Sequence, residues 1–240
     1  MIKLKIGLAQ MKSGKGAVEK NVAVMEKYLS KCSEKGVEIA VFPEMSITGY
    51  NNPEEYPEAV LTFDHPAVKR VIKFSDKYNI DIIAGFIEDN PGGKPFITQF
   101  VAREGELVTY YRKRTIKKEE VEWFTPGDRL ATFEYKDILI GIAICADIDD
   151  PEIFSSYSDL GSSIVFECAA PGLYGEQETR NWESGFNWWR ENCKEKLGKY
   201  ATDNSIYIGV STQAGRTIDE DFPGGGYLFD TQGNCFTETE

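Results

Sequence analysis

The sequence predicts a layered α/β domain with a mixed β-sheet. Strand and helix patterns alternate in the first part of the 240 residues, hairpin patterns fill the middle, and a strand–helix–strand order returns near the end. This order is typical of sheets that are covered by helices. No change of composition marks a linker, so we expect a single domain over residues 1–240.

The individual elements follow from the spacing of apolar residues. Residues 3–10 are apolar at every second position, as in a strand, whereas residues 21–35 have the spacing of one helix face. Pro66 suits the first turn of a helix over residues 66–78, and a further helix is expected near residues 186–204. The other predicted strands are residues 37–42, 80–87, 96–102, 107–112, 132–135, 138–145, 164–167, 207–212 and 226–230.

The charge balance argues against two classes of partner. Asp and Glu total 39 against 27 Lys and Arg, so the formal net charge is −12, and we expect no nucleic-acid or membrane partner. The longest apolar run, residues 138–145, is far shorter than the ~18 residues of a membrane span. The apolar stretch at the N-terminus is too short for a signal peptide, so a cytoplasmic protein is expected.

The cysteine and histidine counts limit the chemistry. The five cysteines are odd in number, widely spaced and without a CxxC pair, which argues against a disulfide framework and a zinc ribbon. His65 is the single histidine and precedes a proline at a predicted helix start. One histidine excludes a multi-histidine metal site, so we expect any catalysis to proceed without imidazole.

Cys145 is a candidate nucleophile because of its place at the end of a strand. The apolar run ILIGIAIC ends at this residue, which places the thiol at the carboxyl end of a buried strand, where α/β sheets bind ligands. The backbone N–H groups of Ala146 and Asp147 follow it and can bind a developing oxyanion. The alternative is a buried core cysteine. A free thiol is only about 3% ionised at pH 7, so a nucleophile here needs a base or a cation nearby.

Glu44 and Lys113 are candidates for these two roles. Glu44 follows a predicted strand inside the apolar segment IAVFPEMSITGY, where burial would raise its pKa toward neutrality; the alternative is a glutamate that turns to solvent. Lys113 ends a predicted strand in TYYRKRTIKK, where the alternative is a solvated basic turn. A basic cluster around it can offer a patch to an acidic substrate, and its members are Arg112, Arg114, Lys117 and Lys118.

Several separated motifs, in order along the chain, resemble the carbon–nitrogen hydrolase (nitrilase/amidase) superfamily. They are KIGLAQ at the start, GVEIAVFPEMSITGY, YYRKRTI, WFTPGD, GIAICADIDDPE, KYATDNSIYIGVSTQAG and GYLFDTQG. The resemblance covers nearly the whole chain and implies an αββα sandwich, with mixed sheets flanked by helices, that carries a Glu-Lys-Cys site.

Carried over by position, the resemblance assigns a role to each candidate. Glu44 would be the general base and Cys145 the nucleophile, while Lys113 and the Ala146 N–H would hold the oxyanion. A lysine cation beside the thiol is also expected to lower the pKa of that thiol, which favours the thiolate.

A second glutamate supports the lysine in such enzymes. Counting back from Pro126, Glu120 fits best, with Glu119 and Glu122 as close rivals. From the sequence alone, these three carboxylates would be interpreted as one solvated face.

The segment 170–193 is rich in aromatic residues and is expected to border the site. Trp189 is taken as the substrate-binding residue, with Trp182 and Trp188 as neighbours; the alternative for each is a place in the helix core. The resemblance also implies a possible homodimer through the helical face.

Together these observations predict a thiol hydrolase that cleaves a non-peptide C–N bond, most simply that of a small linear amide, through a Cys145 thioester. This reaction is expected to need no metal or organic cofactor. A nitrilase or an N-carbamoyl amidohydrolase would use the same site. Two other classes are kept: a catalytically silent small-molecule binding protein, and a redox protein in which Cys168 resolves an oxidised Cys145.

Overall fold

Two β-sheets pack face to face, and helices cover the outer face of each sheet. The computed structural model describes residues 3–117, 120–173 and 181–239. These mixed α/β layers confirm the predicted fold class. Within the described ranges, none of the helices combines the length and the apolar character needed to cross a membrane.

The first sheet is built from the N-terminal strands. They are β1 (Ile6–Leu8), β2 (Ile39–Val41), β3 (Val60–Leu61), β4 (Asp81–Glu88), β5 (Phe96–Arg103) and β6 (Glu106–Arg112). The order across the sheet is β1-β2-β4-β5-β6, and β3 also pairs with β4. β2 is parallel to β4, and two antiparallel steps connect β4 to β6. The carboxyl ends of β2 and β6 therefore lie at the same edge.

The second sheet is built from the C-terminal strands. They are β7 (Thr132–Tyr135), β8 (Ile138–Ile144), β9 (Ile164–Ala169), β10 (Tyr207–Thr212), β13 (Gly226–Phe229) and β14 (Cys235–Glu238), in the order β14-β13-β10-β9-β8-β7. The hairpin of β11 (Ala214–Arg216) and β12 (Asp221–Pro223) lies outside both sheets. β8, β9 and β10 are parallel, so their carboxyl ends also share one edge.

The helices begin where local chemistry favours a helix start. They are α1 (Val18–Glu34), α2 (Pro66–Tyr78), α3 (Glu120–Trp123), α4 (Pro151–Asp159) and α5 (Trp182–Asn204). The Nδ1 atom of His65 accepts the Ala67 N–H at 3.2 Å, so the single histidine caps α2. Asn181 caps α5 by accepting the Ser184 N–H at 2.8 Å, which starts this helix earlier than the predicted residue 186.

Alternation along the strands separates three apolar layers. In β4, Ile82, Ala84 and Phe86 pack under α1 and α2, whereas Ile83 and Ile87 pack between the two sheets. A third layer lies between the second sheet and helices α4 and α5. Ser211 of β10 ties the two sheets together, because its hydroxyl donates to the carbonyl oxygens of residues 9 and 41 at 2.6 and 2.9 Å.

Candidate active site

Glu44, Lys113 and Cys145 come together at the edge where the two sheets meet. Glu44 lies just beyond β2, Lys113 directly follows β6, and Cys145 directly follows β8. The predicted set therefore draws its base and its cation from the first sheet and its thiol from the second. The Cys145 thiol and the Glu44 carboxyl group lie close enough for each to shift the pKa of the other.

Lys113 is held between two carboxyl groups. Its Nζ atom donates to Glu44 Oε1 at 2.9 Å and to both carboxylate oxygens of Glu120 at 2.8 and 2.9 Å. Only 1% of Lys113 and none of Glu44 is exposed. Buried charges need this kind of pairing, because an isolated charge in the protein interior is strongly destabilising. The alternative of a solvated basic turn at Lys113 is therefore wrong.

The structure distinguishes between the three candidate glutamates. Glu120 is buried at the start of α3 and also accepts the Tyr50 hydroxyl at 2.9 Å. Glu122 is exposed on the same helix, and Glu119 lies outside the described residues. Among the carboxylates of this segment that the structure describes, Glu120 is therefore the one that contacts Lys113.

Asp147 holds the turn that carries the candidate nucleophile. Cys145 has a left-handed backbone with φ of 46° and starts a short 3-10 helix, Cys145–Asp149. The Asp147 carboxylate accepts the Ile144 N–H at 2.9 Å, the Tyr111 hydroxyl at 2.7 Å and the Thr115 N–H at 2.8 Å. These bonds fix the cysteine turn against the loop that carries the lysine, a role that the sequence analysis missed.

Burial largely sets the protonation state of Glu44. It raises the pKa of Glu44 to about 7, with the Lys113 cation opposing this shift and the Glu120 charge adding to it. Burial alone lowers the pKa of Lys113, but the two carboxylates outweigh burial and raise it, so the lysine is a cation. A carboxyl group that titrates near neutrality can both accept and return a proton.

The expectation of a lowered thiol pKa is wrong. Burial raises the pKa of Cys145, the Glu44 charge raises it further, and together they outweigh the opposing effect of Lys113. The resting Cys145 side chain is therefore a neutral thiol. A neutral thiol that acts as a nucleophile gives up its proton as the sulfur attacks, rather than beforehand.

A cavity of about 310 Å³ opens over these groups. Cys145, Lys113, Glu120 and Tyr50 form its reactive end, and further walls come from the 3-10 helix, the segment 170–173 and α5. Ala146 lines the cavity in the first turn of the 3-10 helix, where backbone N–H groups have no acceptor within the helix.

Trp189 lines the cavity as part of its wall. Only 2% of its surface is exposed, and its indole N–H donates to the Thr212 hydroxyl at 3.0 Å. The indole N–H is therefore already occupied, and the ring offers an apolar surface. Trp188 lines the same cavity, whereas Trp182 is exposed and stacks on Phe186.

Glu167 is a buried carboxyl group that the sequence analysis did not single out. It lies on β9 with no exposure, and neither carboxyl oxygen has a hydrogen-bond partner among the described residues. Burial raises its pKa, and the charges of Asp147 and Glu44 raise it further, so the group is held neutral. In the described ranges, no group of three His, Cys, Asp or Glu side chains is placed to hold a metal ion.

The family assignment rests on a match across almost the whole chain. The sequence model described as Carbon-nitrogen hydrolase matches residues 5–238. The chain belongs to the carbon-nitrogen hydrolase family. This family membership confirms the resemblance seen in the sequence.

Curated relatives of the chain include longer proteins. It is 25% identical to the glutamine-dependent NAD(+) synthetase of Thermotoga maritima over 97% of the chain and 39% of that protein. It is 29% identical to nitrilase homolog 2 of Dictyostelium discoideum over 82% of the chain and 59% of that protein. The chain thus spans about two-fifths to three-fifths of the length of these relatives.

Solved structures show the same fold. An amidase from Nesterenkonia sp. AN1 superposes with a TM-score of 0.83 at 20% identity, over 99% of this chain and 89% of that one. A variant of that amidase has been solved with acrylamide added to its active-site cysteine.

Proposed function

We propose that this protein is a thiol hydrolase that cleaves the C–N bond of a small amide through a thioester on Cys145. The observation that carries this proposal is the buried Lys113 cation, which contacts both Glu44 and Glu120 beside the thiol. Family membership and amidase relatives support the same class of reaction.

In the first step, the Cys145 sulfur attacks the amide carbonyl carbon while Glu44 accepts the thiol proton. The carbonyl π electrons move to oxygen, and the Lys113 cation and the Ala146 N–H stabilise that oxyanion. When the oxyanion collapses, the C–N bond breaks, and Glu44 returns its proton to the departing amine. The products of this step are the free amine and a thioester.

In the second step, Glu44 accepts a proton from water as the water oxygen attacks the thioester carbon. A second oxyanion forms at the same donors, the C–S bond breaks, and the proton on Glu44 restores the thiol. The pKa of Glu44, about 7, suits both directions of proton transfer. Glu120 keeps the lysine charged and in place throughout.

The alternatives differ in what they need from the site. A nitrile or an N-carbamoyl substrate would use the same nucleophile and base. A silent binding protein does not need three buried ionisable groups around a thiol. Because burying charged groups costs free energy, this arrangement favours a catalytic role over a silent one. A redox pair is disfavoured because Cys168 has no exposed surface and packs between the sheets.

Mass spectrometry of the intact protein tests the proposal. The parent protein, mixed briefly with a panel of amides, nitriles and carbamoyl compounds, should gain the mass of one acyl group. Cys145→Ala should gain none, whereas Cys235→Ala, which alters a partly exposed cysteine outside the cavity, should behave like the parent. In Glu44→Gln, any adduct that forms should persist, because the base that activates water is gone.

Two results would contradict the proposal. One is an adduct that still forms in Cys145→Ala. The other is the absence of adduct and of turnover across the whole panel, which would favour the binding protein.

A further inference from the structure

The turn that carries Glu44 is bound at both ends to the neighbouring strand β4. Beyond β2, the Phe42 N–H donates to the Ile83 carbonyl oxygen at 2.8 Å. Past the turn, the Ile47 N–H donates to the Gly85 carbonyl oxygen at 2.9 Å. These two bonds fix the ends of the turn and leave Glu44 in its middle.

The middle of this turn has an unfavourable backbone. Met45 directly follows Glu44 and has a φ of 48°, a conformation that residues other than glycine rarely adopt. Such a conformation persists only where surrounding contacts hold it. The Glu44 carboxylate itself accepts the Lys113 ammonium at 2.9 Å and the Ala170 N–H at 3.1 Å. Whether the carboxylate reaches both donors depends on what supports the turn.

Gln99 of β5 supports the turn from the side of the sheet. It is fully buried and lies opposite Gly85 in the antiparallel pairing of β4 and β5. Its Nε2 atom donates to the Phe42 carbonyl oxygen at 2.8 Å, two residues before Glu44. A Cβ atom on Gly85 would lie 2.1 Å from Gln99 Oε1 and 2.9 Å from the Met45 nitrogen. Because Gly85 has no side chain, the glutamine amide fits directly under the turn.

A glutamine is an expensive side chain for this position if it only fills the core. Ile97 and Val101, two residues away on either side, pack in the apolar layer between the sheets. Gln99 Oε1 has no hydrogen-bond partner among the described residues, and an unpaired buried polar atom is unfavourable. An apolar side chain would fill the same volume without this cost. The bond to the Phe42 carbonyl is therefore what the glutamine provides.

We propose that Gln99 is a positioning residue for the general base, because its amide holds the turn so that Glu44 stays between Lys113 and the Ala170 N–H. This inference rests on the proposed amide hydrolysis and adds a residue to its machinery. Gln99 does not line the cavity, so it acts through Glu44 and does not contact the substrate. A displacement of a reacting group by about 1 Å can slow a reaction about a hundredfold.

Two variants of Gln99 test this role with the amide of the panel that the parent protein hydrolyses fastest. Gln99→Met keeps the volume of the side chain and removes the bond, and Gln99→Asn keeps the amide but is one methylene too short to reach. We expect kcat to fall about tenfold in both, with KM within about twofold because the cavity is unchanged.

The pH profile separates a positioning role from a merely structural one. The Lys113 cation and the Ala170 N–H both favour the ionised form of Glu44, so a displaced Glu44 loses two contacts that lower its pKa. In both Gln99 variants, the rise of kcat/KM with pH should therefore move up by about one pH unit.

Ser75→Ala is the matched control. Ser75 is buried on α2, where its hydroxyl donates to the Ile72 carbonyl oxygen at 2.7 Å and accepts the Gly105 N–H at 2.9 Å. Like Gln99, it is a buried polar side chain bonded to the backbone, but it lies on the outer face of the first sheet. Urea denaturation should show a loss of stability in Ser75→Ala, while its pH profile should match that of the parent.

The failure of this proposal differs from the failure of amide hydrolysis. If either Gln99 variant loses only stability and its pH profile stays in place or moves down, the positioning role is overturned. It is also overturned if neither variant folds, because Gln99 is then a structural residue. In these cases amide hydrolysis by the parent stands. If the parent hydrolyses no amide of the panel, amide hydrolysis fails and the role of Gln99 fails with it.

Discussion

Replacing Glu167 with glutamine should flatten the pH dependence of the free energy of unfolding. In the folded chain, burial among apolar residues and the nearby charges of Asp147 and Glu44 raise the pKa of this carboxyl group well above its ordinary 4.5. In the unfolded chain, the group ionises near that ordinary value. Above about pH 4.5, the folded state therefore binds one more proton than the unfolded state.

The magnitude follows from this difference of one proton. Each pH unit between the two pKa values removes about 1.4 kcal/mol from the free energy of unfolding. Between about pH 5.5 and 7.5, Glu167 should therefore remove at most about 2.7 kcal/mol of stability, and Glu167→Gln should not show this loss. The contributions of Glu44 and Asp147 are present in both proteins, so they largely cancel in the comparison.

Urea denaturation of the parent and of Glu167→Gln at these two pH values measures the effect. The unpaired glutamine amide adds an offset that does not depend on pH, so only the difference in slope matters. Glu122→Gln removes the same charge from an exposed position and serves as the control. If the parent and Glu167→Gln lose stability in parallel as the pH rises, Glu167 is not held neutral and the reasoning is refuted.

Three further outcomes concern the candidate catalytic residues and the loop beside them. Because the proposed base must be ionised, kcat/KM should rise about tenfold per pH unit up to about pH 7, where Glu44 titrates. A flat profile in steady-state assays would argue against this base. Glu120→Gln removes a charge that raises the pKa of Glu44, so the same profile should move to lower pH; a move to higher pH would contradict this coupling. In Gly127→Ala, the new Cβ would lie 2.2 Å from the Arg112 carbonyl oxygen, next to the N–H that donates to the Lys113 carbonyl. We expect the free energy of unfolding to fall by about 2 kcal/mol and turnover to be lost. An unchanged melting temperature would show that the loop accommodates the new Cβ without strain.

The order of the layers is predictable because each element has a distinctive apolar spacing. The continuous run of β8 and the alternation of β1 are both visible in the sequence, although β1 is shorter than the predicted residues 3–10. The sequence analysis does not predict helix α4, because it assigns DDPE only to the cysteine motif. Two features of this segment favour a helix start. Pro151 lies in the first turn, and the Asp150 side chain caps the helix by accepting the Glu152 N–H.

The charges of the site are less predictable, because they depend on residues that are distant in the chain. Glu44 and Glu167 both lie in apolar segments, so the local sequence does not separate them. Glu44 meets Lys113 across 69 positions, whereas Glu167 has no partner among the described residues. The raised pKa of the Cys145 thiol has the same origin, since its value depends on how many carboxylates surround one cation in the folded chain.

The division of the site between the two sheets has a consequence for biosynthesis. A nascent chain that has emerged as far as Lys113 contains the candidate base and the candidate cation but not the candidate nucleophile. Cys145 emerges later, and until the second sheet packs against the first it is an ordinary thiol with no base beside it. Under the proposed function, acylation of Cys145 assisted by Glu44 is therefore possible only after the two sheets have packed. Catalytic turnover, rather than thiol reactivity alone, would then report completed folding.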